Sequence, residues 1–310
     1  MRRSGPSRPI IAHRYTDFDK LSPVVSTFRD PLAHAVWMTT SAGSGPPPQA
    51  VLSAFGLSGS PVALPGGQAT AWRAGTGVLK PSDVPPSVIA WQARLLAGLD
   101  GRPDFRVSVP LQAVDRSWTV EGWTAWRYEP GSHVSHRWHD IIAVGERLHT
   151  ALETEAEPAF LRQRTDPWSV ADKVAWGDLP AADVRSTGHL PALVAARRPL
   201  SAWPRLMHGD LTGNVLFADG LLPLVIDLSL YWRPSAFASA IVLADALVFE
   251  SAGSDVVEPL LGSPDFAQYL VRALIFRAVT GHLARSEHSL AVRDGYRSAV
   301  ELALTLAASC

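Results

Sequence analysis

The 310-residue sequence has a single cysteine, and it is the last residue, Cys310. An intrachain disulfide framework and a cysteine-rich zinc site are thereby excluded, and a reducing cytoplasm is the expected compartment. Charge of either sign is also lacking in excess. With a formal net charge of −1, the chain has no global field to gather nucleic acid or an anionic membrane, and neither is an expected partner. Long apolar runs are missing too: the best candidate, Phe237 to Phe249, is interrupted by Ser239 and Asp245, short of a membrane span. The opening Met1-Arg2-Arg3 has no apolar stretch behind it, so it does not read as an export signal. No internal repeat is visible.

What is present is ample core material, with 47% hydrophobic residues and 11 tryptophans, in a chain long enough for two lobes sharing a cleft. Residues 1–48 read as an irregular, partly disordered leader ending in Gly43-Ser44-Gly45-Pro46-Pro47-Pro48; translation beginning at Met38 is an alternative. Residues 49–128 then carry a short helix (Ala50 to Phe55), strands around Gly66-Gly67 and Gly75-Thr76-Gly77, and a strand ending in Lys80. A helix follows over Val88 to Leu99, then strands over Arg106 to Leu111 and Trp118 to Tyr128. Beyond Glu129-Pro130-Gly131 the pattern turns helical: Trp138 to Leu152, Ser169 to Ala175, Leu190 to Ala196, Phe237 to Glu250 and Phe266 to Ala308. One hairpin interrupts it, Val215-Leu216-Phe217 and Leu222 to Ile226 about Asp219-Gly220. The class expected is α+β, with a β-rich first part (49–128) and a larger α-helical second part (129–310).

His208-Gly209-Asp210-Leu211-Thr212-Gly213-Asn214 followed by Ile226-Asp227 stands out. A lone H-x-D-x-x-x-x-N arises by chance in about one per cent of chains this long. Here the hairpin folds Asp227 back beside Asn214, and the two offer hard oxygens suited to Mg²⁺. Asp210 is left free to accept a proton from an attacking hydroxyl, and Lys80 is placed to reach phosphates. Phosphoryl transfer needs these parts and little else.

The segment His208 to Asp227 resembles the catalytic and metal-binding loops of the aminoglycoside phosphotransferase/choline kinase superfamily, a branch of the protein-kinase-like fold. The likeness runs from about Ala50 to Ala252. Trp168, Ala171-Asp172, Ala175-Trp176-Gly177 and Tyr231-Trp232-Arg233-Pro234 further resemble an actinobacterial subgroup. The resemblance implies a two-lobed fold with a small β-rich N-lobe and a larger helical C-lobe. It implies ATP or another nucleoside triphosphate and Mg as cofactors and a small-molecule hydroxyl as acceptor. By position, Asp210 becomes the base, Asn214 and Asp227 the Mg ligands, and Lys80 the phosphate-binding lysine. Gly66 and Gly67 become part of the loop over the nucleotide, the hinge from Trp126 to Tyr128 offers backbone groups to adenine, and His208 braces the loop.

Two departures stand out. The stretch from Pro81 to Leu99 contains no glutamate to orient Lys80, and Gln92 is the nearest polar stand-in. Asp227 is followed by Leu228-Ser229, which argues against a protein-kinase activation switch. Blander readings stand beside these: Lys80 as a solvated strand end, Gly66-Gly67 as a plain turn, and Asp210 and Asn214 as turn residues. His149 reads as packing or bracing. His133, His136 and His139 lack a carboxylate pattern to complete a metal site. Trp203, Tyr231 and Trp232 flank the loops as candidate pocket residues, and Arg233 reads as pairing within the fold, with recognition of an anionic substrate as the alternative. No dense carboxylate cluster favours a polycationic acceptor. The alternative to an enzyme is a nucleotide-binding pseudokinase acting as sensor or scaffold.

Overall fold

Prolines open, and glycines follow, several of this chain's helices, Gln49–Ala54, Pro86–Leu99 and Pro167–Trp176 among them. In the computed structural model, which describes residues 45–64, 70–181, 188–283 and 290–309, α1 (Gln49–Ala54) follows Pro48 and stops before Gly56, whose φ of 65° suits glycine. Then come β1 (Val62–Ala63), β2 (Trp72–Ala74) and β3 (Gly77–Pro81). Next, α2 (Pro86–Leu99) starts on a proline at its first position and buries Ile89, Leu95, Leu96 and Leu99 at helical spacing. Strands β4 (Arg106–Val107), β5 (Pro110–Leu111) and β6 (Trp123–Arg127) follow.

The main sheet is antiparallel in the order β1-β2-β3-β6-β5, with Lys80 opposite Thr124 and Val78 opposite Trp126. It carries its own small core of Val51, Leu52, Phe55, Leu57, Leu79, Trp123 and Ala125 among others. Gly77 makes room for α1's end: a Cβ there would lie 2.4 Å from Leu57 Cδ1. The expected strand pair over Trp118 to Tyr128 is shorter than read. Glu121 and Gly122 both have positive φ (49° and 78°) and Val120 bridges Trp123, so a tight turn takes the place of the first strand.

The remainder is mostly helical: α3 (Trp138–Ala151), α4 (Ala159–Gln163), α5 (Pro167–Trp176), α6 (Leu190–Ala196), α7 (Ala236–Phe249), α8 (Phe266–Leu283) and α9 (Leu290–Ala308). Asp166 caps α5, accepting from Ser169 N–H at 3.0 Å. The helical tail expected over Phe266 to Ala308 is thus two helices. Among these helices lie β7 (Arg205–His208), β8 (Val215–Leu216), β9 (Leu224–Val225) and β10 (Leu230–Arg233). β7 pairs antiparallel with β10, and β9 lies between parallel β4 and antiparallel β8. α4, β7, β10 and a 3-10 segment, Ser254–Leu260, were not anticipated. The Asp219-Gly220 turn forms where expected, closed by Leu221 N–H to Ala218 O at 3.2 Å. Phe217, however, leaves the hairpin to pair with Ser132. α7 is buried from Phe237 through Val248, and α3, α5, α7, α8 and α9 share a continuous apolar core. No described helix is long and apolar enough to cross a membrane.

Candidate active site

β7 ends on His208, which is completely buried and sits opposite Leu230 of β10. Its Nδ1 accepts from Asp210 N–H and from Ser229 N–H, both at 3.3 Å, so the proton must sit on Nε2, which faces Ile226 O at 3.3 Å. Burial pushes the ring's pKa down, against the pull of Asp210 and Asp227, so the histidine is neutral. One turn of α3 contributes a second buried ring, His149, whose Nε2 accepts from His208 N–H at 3.0 Å. Burial first, and the neighbouring His208 second, drive His149 down to about 3. Neither ring is a proton carrier at neutral pH; both are fixed acceptors for backbone N–H groups. That is the bracing role expected of His208 and, in the helix behind it, of His149.

Glycines let the loop sit this close. A Cβ on Gly209 would lie 2.5 Å from the Tyr231 ring, and one on Gly145 of α3 would lie 2.4 Å from Leu211 Cδ1. Beyond Leu211 the chain turns, with Asn214 N–H donating to Leu211 O at 3.0 Å. The Asn214 side chain donates from Nδ2 to Asp210 O at 2.7 Å, which turns its Oδ1 away as an available hard oxygen. Ile226 N–H donates to Asn214 O at 3.0 Å, so Asp227 follows directly beside Asn214. Asp227 has φ 50°, uncommon for a residue with a Cβ and costly enough to need local support.

Lys80 reaches this loop from the main sheet. Its Nζ lies 2.5 Å from Asp227 Oδ1 and 5.3 Å from the Trp126 ring. Gln92 lies buried on α2, and Asp227 is the lysine's polar partner among the described residues. Asp210, Asn214, Asp227, Lys80 and Trp126 therefore come together. Tyr128 lies at the end of β6 with the Arg73 guanidinium 3.8 Å from its ring centre. The segment differs from an open hinge. Arg127 N–H donates to Val109 O and Tyr128 N–H to Thr76 O, both at 2.8 Å, and β6 is paired on both edges at Trp126. Those donors are spent within the sheet because β6 is a central strand. Gly66 and Gly67 lie outside the described residues.

Solved structures share this fold. An aminoglycoside phosphotransferase from Alicyclobacillus acidocaldarius superposes with a TM-score of 0.56 at 13% identity, covering 87% of this chain and 97% of the other. A choline kinase from Streptococcus pneumoniae gives 0.52 at 15% identity, over 82% and 96%. A spectinomycin phosphotransferase solved with ADP and spectinomycin gives 0.51 at 13% identity, over 83% and 96%. The fold is that of these small-molecule phosphotransferases. No family model matches the sequence, and no curated protein matches it.

In this fold, one group escaped the sequence reading. Arg277 of α8 donates from Nε and Nη2 to both carboxylate oxygens of Asp245 on α7, at 2.6 and 2.5 Å, and from Nη2 to Asp210 Oδ1 at 2.9 Å. Burial opposes the guanidinium's charge, but the carboxylates of Asp245 and Asp210 outweigh it and raise its pKa. Asp245 is only 3% exposed. The signal available was an acid inside an otherwise apolar helix, which demands a partner. Other candidates fall elsewhere. Arg233 pairs within the fold with Asp172 and Asp178 at 2.7 and 2.6 Å. Tyr231 is buried against Gly209, whereas Trp203 is 83% exposed. His133 and His136 lie near Glu250.

Proposed function

We propose that the chain is an ATP-dependent phosphotransferase that moves the γ-phosphoryl group to a hydroxyl of a small molecule, with the main sheet acting as an N-lobe and the helical part as a C-lobe. The observation that carries this reading is the single hydrogen-bonded unit holding Asp210, Asn214 and Asp227, with Lys80 reaching into it from the sheet. Asp210 is the base: it accepts the acceptor's proton as the acceptor oxygen bonds to phosphorus and the bond to the departing ADP oxygen breaks.

The residues present fit a magnesium ion. Asn214 keeps an unspent amide oxygen because its Nδ2 is tied to Asp210 O, and the Asp227 carboxylate is 59% exposed. Two hard oxygens just outside the ends of paired strands suit a cation that retains most of its waters. Bound there with the nucleotide, the metal would neutralise phosphate charge. Lys80, now paired with Asp227, would bind phosphate oxygens, with Trp126 beneath it. Gly66 and Gly67 would belong to the loop over the nucleotide, and Trp126 to Tyr128 would border the base. The ADP and spectinomycin bound by the spectinomycin phosphotransferase of similar fold support a nucleotide and a small acceptor here.

The test is Mg-dependent turnover of ATP by the purified protein against a panel of hydroxyl metabolites, read by a phosphate mass shift and compared with Asp210→Ala. Product formation by wild type and its loss in the variant is the expected result. Equal turnover in both would remove Asp210 from the chemistry. Tight nucleotide binding without turnover on any acceptor would favour the scaffold instead.

A further inference from the structure

Arg277 takes no part in the chemistry just described, yet its Nη2 is closer to the Asp210 carboxylate than the amide of Asn214 is, 2.9 Å against 3.3 Å. Its setting is unusual for an ion pair. Asp245 lies in a helix buried from Phe237 through Val248, and Arg277 is flanked by Phe276 and Ala278 in the apolar core. Withdrawing two charges from water is costly, and well-packed apolar residues of similar volume often serve stability as well or better. Joining α7 to α8 therefore does not account for this pair.

The direction of its bonds gives a better account. The guanidinium is already satisfied on one side by a two-pronged contact with Asp245, a planar fork geometry that lysine does not reproduce. That contact fixes its orientation, and the remaining reach of Nη2 falls on Asp210 Oδ1. The two oxygens of Asp210 are consequently unequal. Oδ1 is held by a buried, permanently charged donor, while Oδ2 meets only the long contact from Asn214.

We propose that Arg277 is the positioning residue for Asp210 and Asp245 the brace for Arg277: together they lock the rotamer of the base and leave Oδ2 as the oxygen that receives the acceptor's proton. This inference rests on the phosphotransferase reading. In the transfer step the proton passes from the acceptor hydroxyl to Oδ2, the new oxygen–phosphorus bond forms, and the old one breaks as ADP departs. Arg277 stays protonated throughout and touches neither nucleotide nor acceptor.

The test uses the full chain and a double variant, Arg277→Met with Asp245→Leu, which removes both charges at once and leaves no buried ion unpaired. With Mg·ATP and either water or an acceptor found in the metabolite panel, kcat is expected to fall about 10²-fold while KM for Mg·ATP stays within about twofold of wild type. The melting temperature is expected to be maintained or raised. In Arg277→Ala, guanidinium added well below denaturing concentration is expected to restore part of the lost kcat; it should do nothing for Asp210→Ala. A folded double variant with wild-type kcat would overturn the proposal. A wild-type protein without turnover on any acceptor would sink the phosphotransferase reading, and crystal structures then decide the positioning separately. Asp210 in an unchanged rotamer in the double variant overturns it; a rotated or multiply placed carboxylate supports it.

Discussion

Two ion pairs hold the two aspartates of the site, and they are built differently. Lys80 meets Asp227 at the mouth, with side chains 25% and 59% exposed. Arg277 meets Asp210 and Asp245 from inside, with the side chains of Arg277 and Asp245 only 11% and 5% exposed. The first is a single point contact from a flexible lysine to a carboxylate that faces solvent, more open to screening by salt and to exchange for another anion. The second is a forked contact in an apolar helix pair, where no water can replace a lost partner. Under the proposed function, the first suits exchange with phosphate and the second suits a contact that persists through every turnover.

That contrast can be broken by experiment. The largest effect is expected at the carboxylate between the two: Asp210→Ala should lower turnover by about 10²–10⁴-fold, measured by steady-state product formation, with nucleotide affinity by calorimetry nearly intact. Next is Asp245→Ala, which leaves the buried Arg277 with only its single contact to Asp210 and should cost about 3–5 kcal/mol of stability in denaturant unfolding. A loss no larger than that of an exposed pair would erase the distinction. A third, pH-dependent effect comes from His149. Its pKa is lowered in the fold, so its contribution is full above about 6.5 and is lost as the pH falls toward about 3, because only the unfolded chain takes up the proton. Between pH 7 and pH 5 wild type should therefore lose about 2 kcal/mol more stability than His149→Gln, whose amide oxygen can still accept from His208 N–H. The smallest stability effect belongs to the mouth: Lys80→Ala should change stability by less than about 1 kcal/mol while raising KM for Mg·ATP. A stability loss matching that of Asp245→Ala would show that the lysine contact is structural after all.

The same contrast explains what could be read from the sequence. Asp210, Asn214 and Asp227 were legible because a loop and a hairpin make them neighbours by local chain geometry alone, and Lys80 because it closes a strand. Helices with clear spacing, such as α2 and α3, were legible for the same reason. Arg277 was not: its partners lie 67 and 32 residues away, and their meeting depends on how α7 and α8 pack. Asp245 was seen only as an interruption in an apolar run, when a buried acid in that position already implied a cation. The strands β7 and β10 escaped because each is four residues long and pairs only with the other. The central position of β6, which spends the donors of Arg127 and Tyr128, is likewise a property of sheet order that no local pattern carries.

The paired histidines have a consequence for motion. The amide hydrogens of His208, Gly209, Asp210 and Ser229 are bonded to His149, to Ser229 O and to His208 in turn, and the two rings that accept three of them are buried. Active-site loops usually belong to the readily opening parts of a protein. Here the amides of the loop should exchange with deuterium as slowly as those of α7, opening only when the core opens. The machinery around Asp210 would then behave as part of the protein's interior that happens to face the site, and adaptability toward different acceptors would have to reside in the surrounding segments.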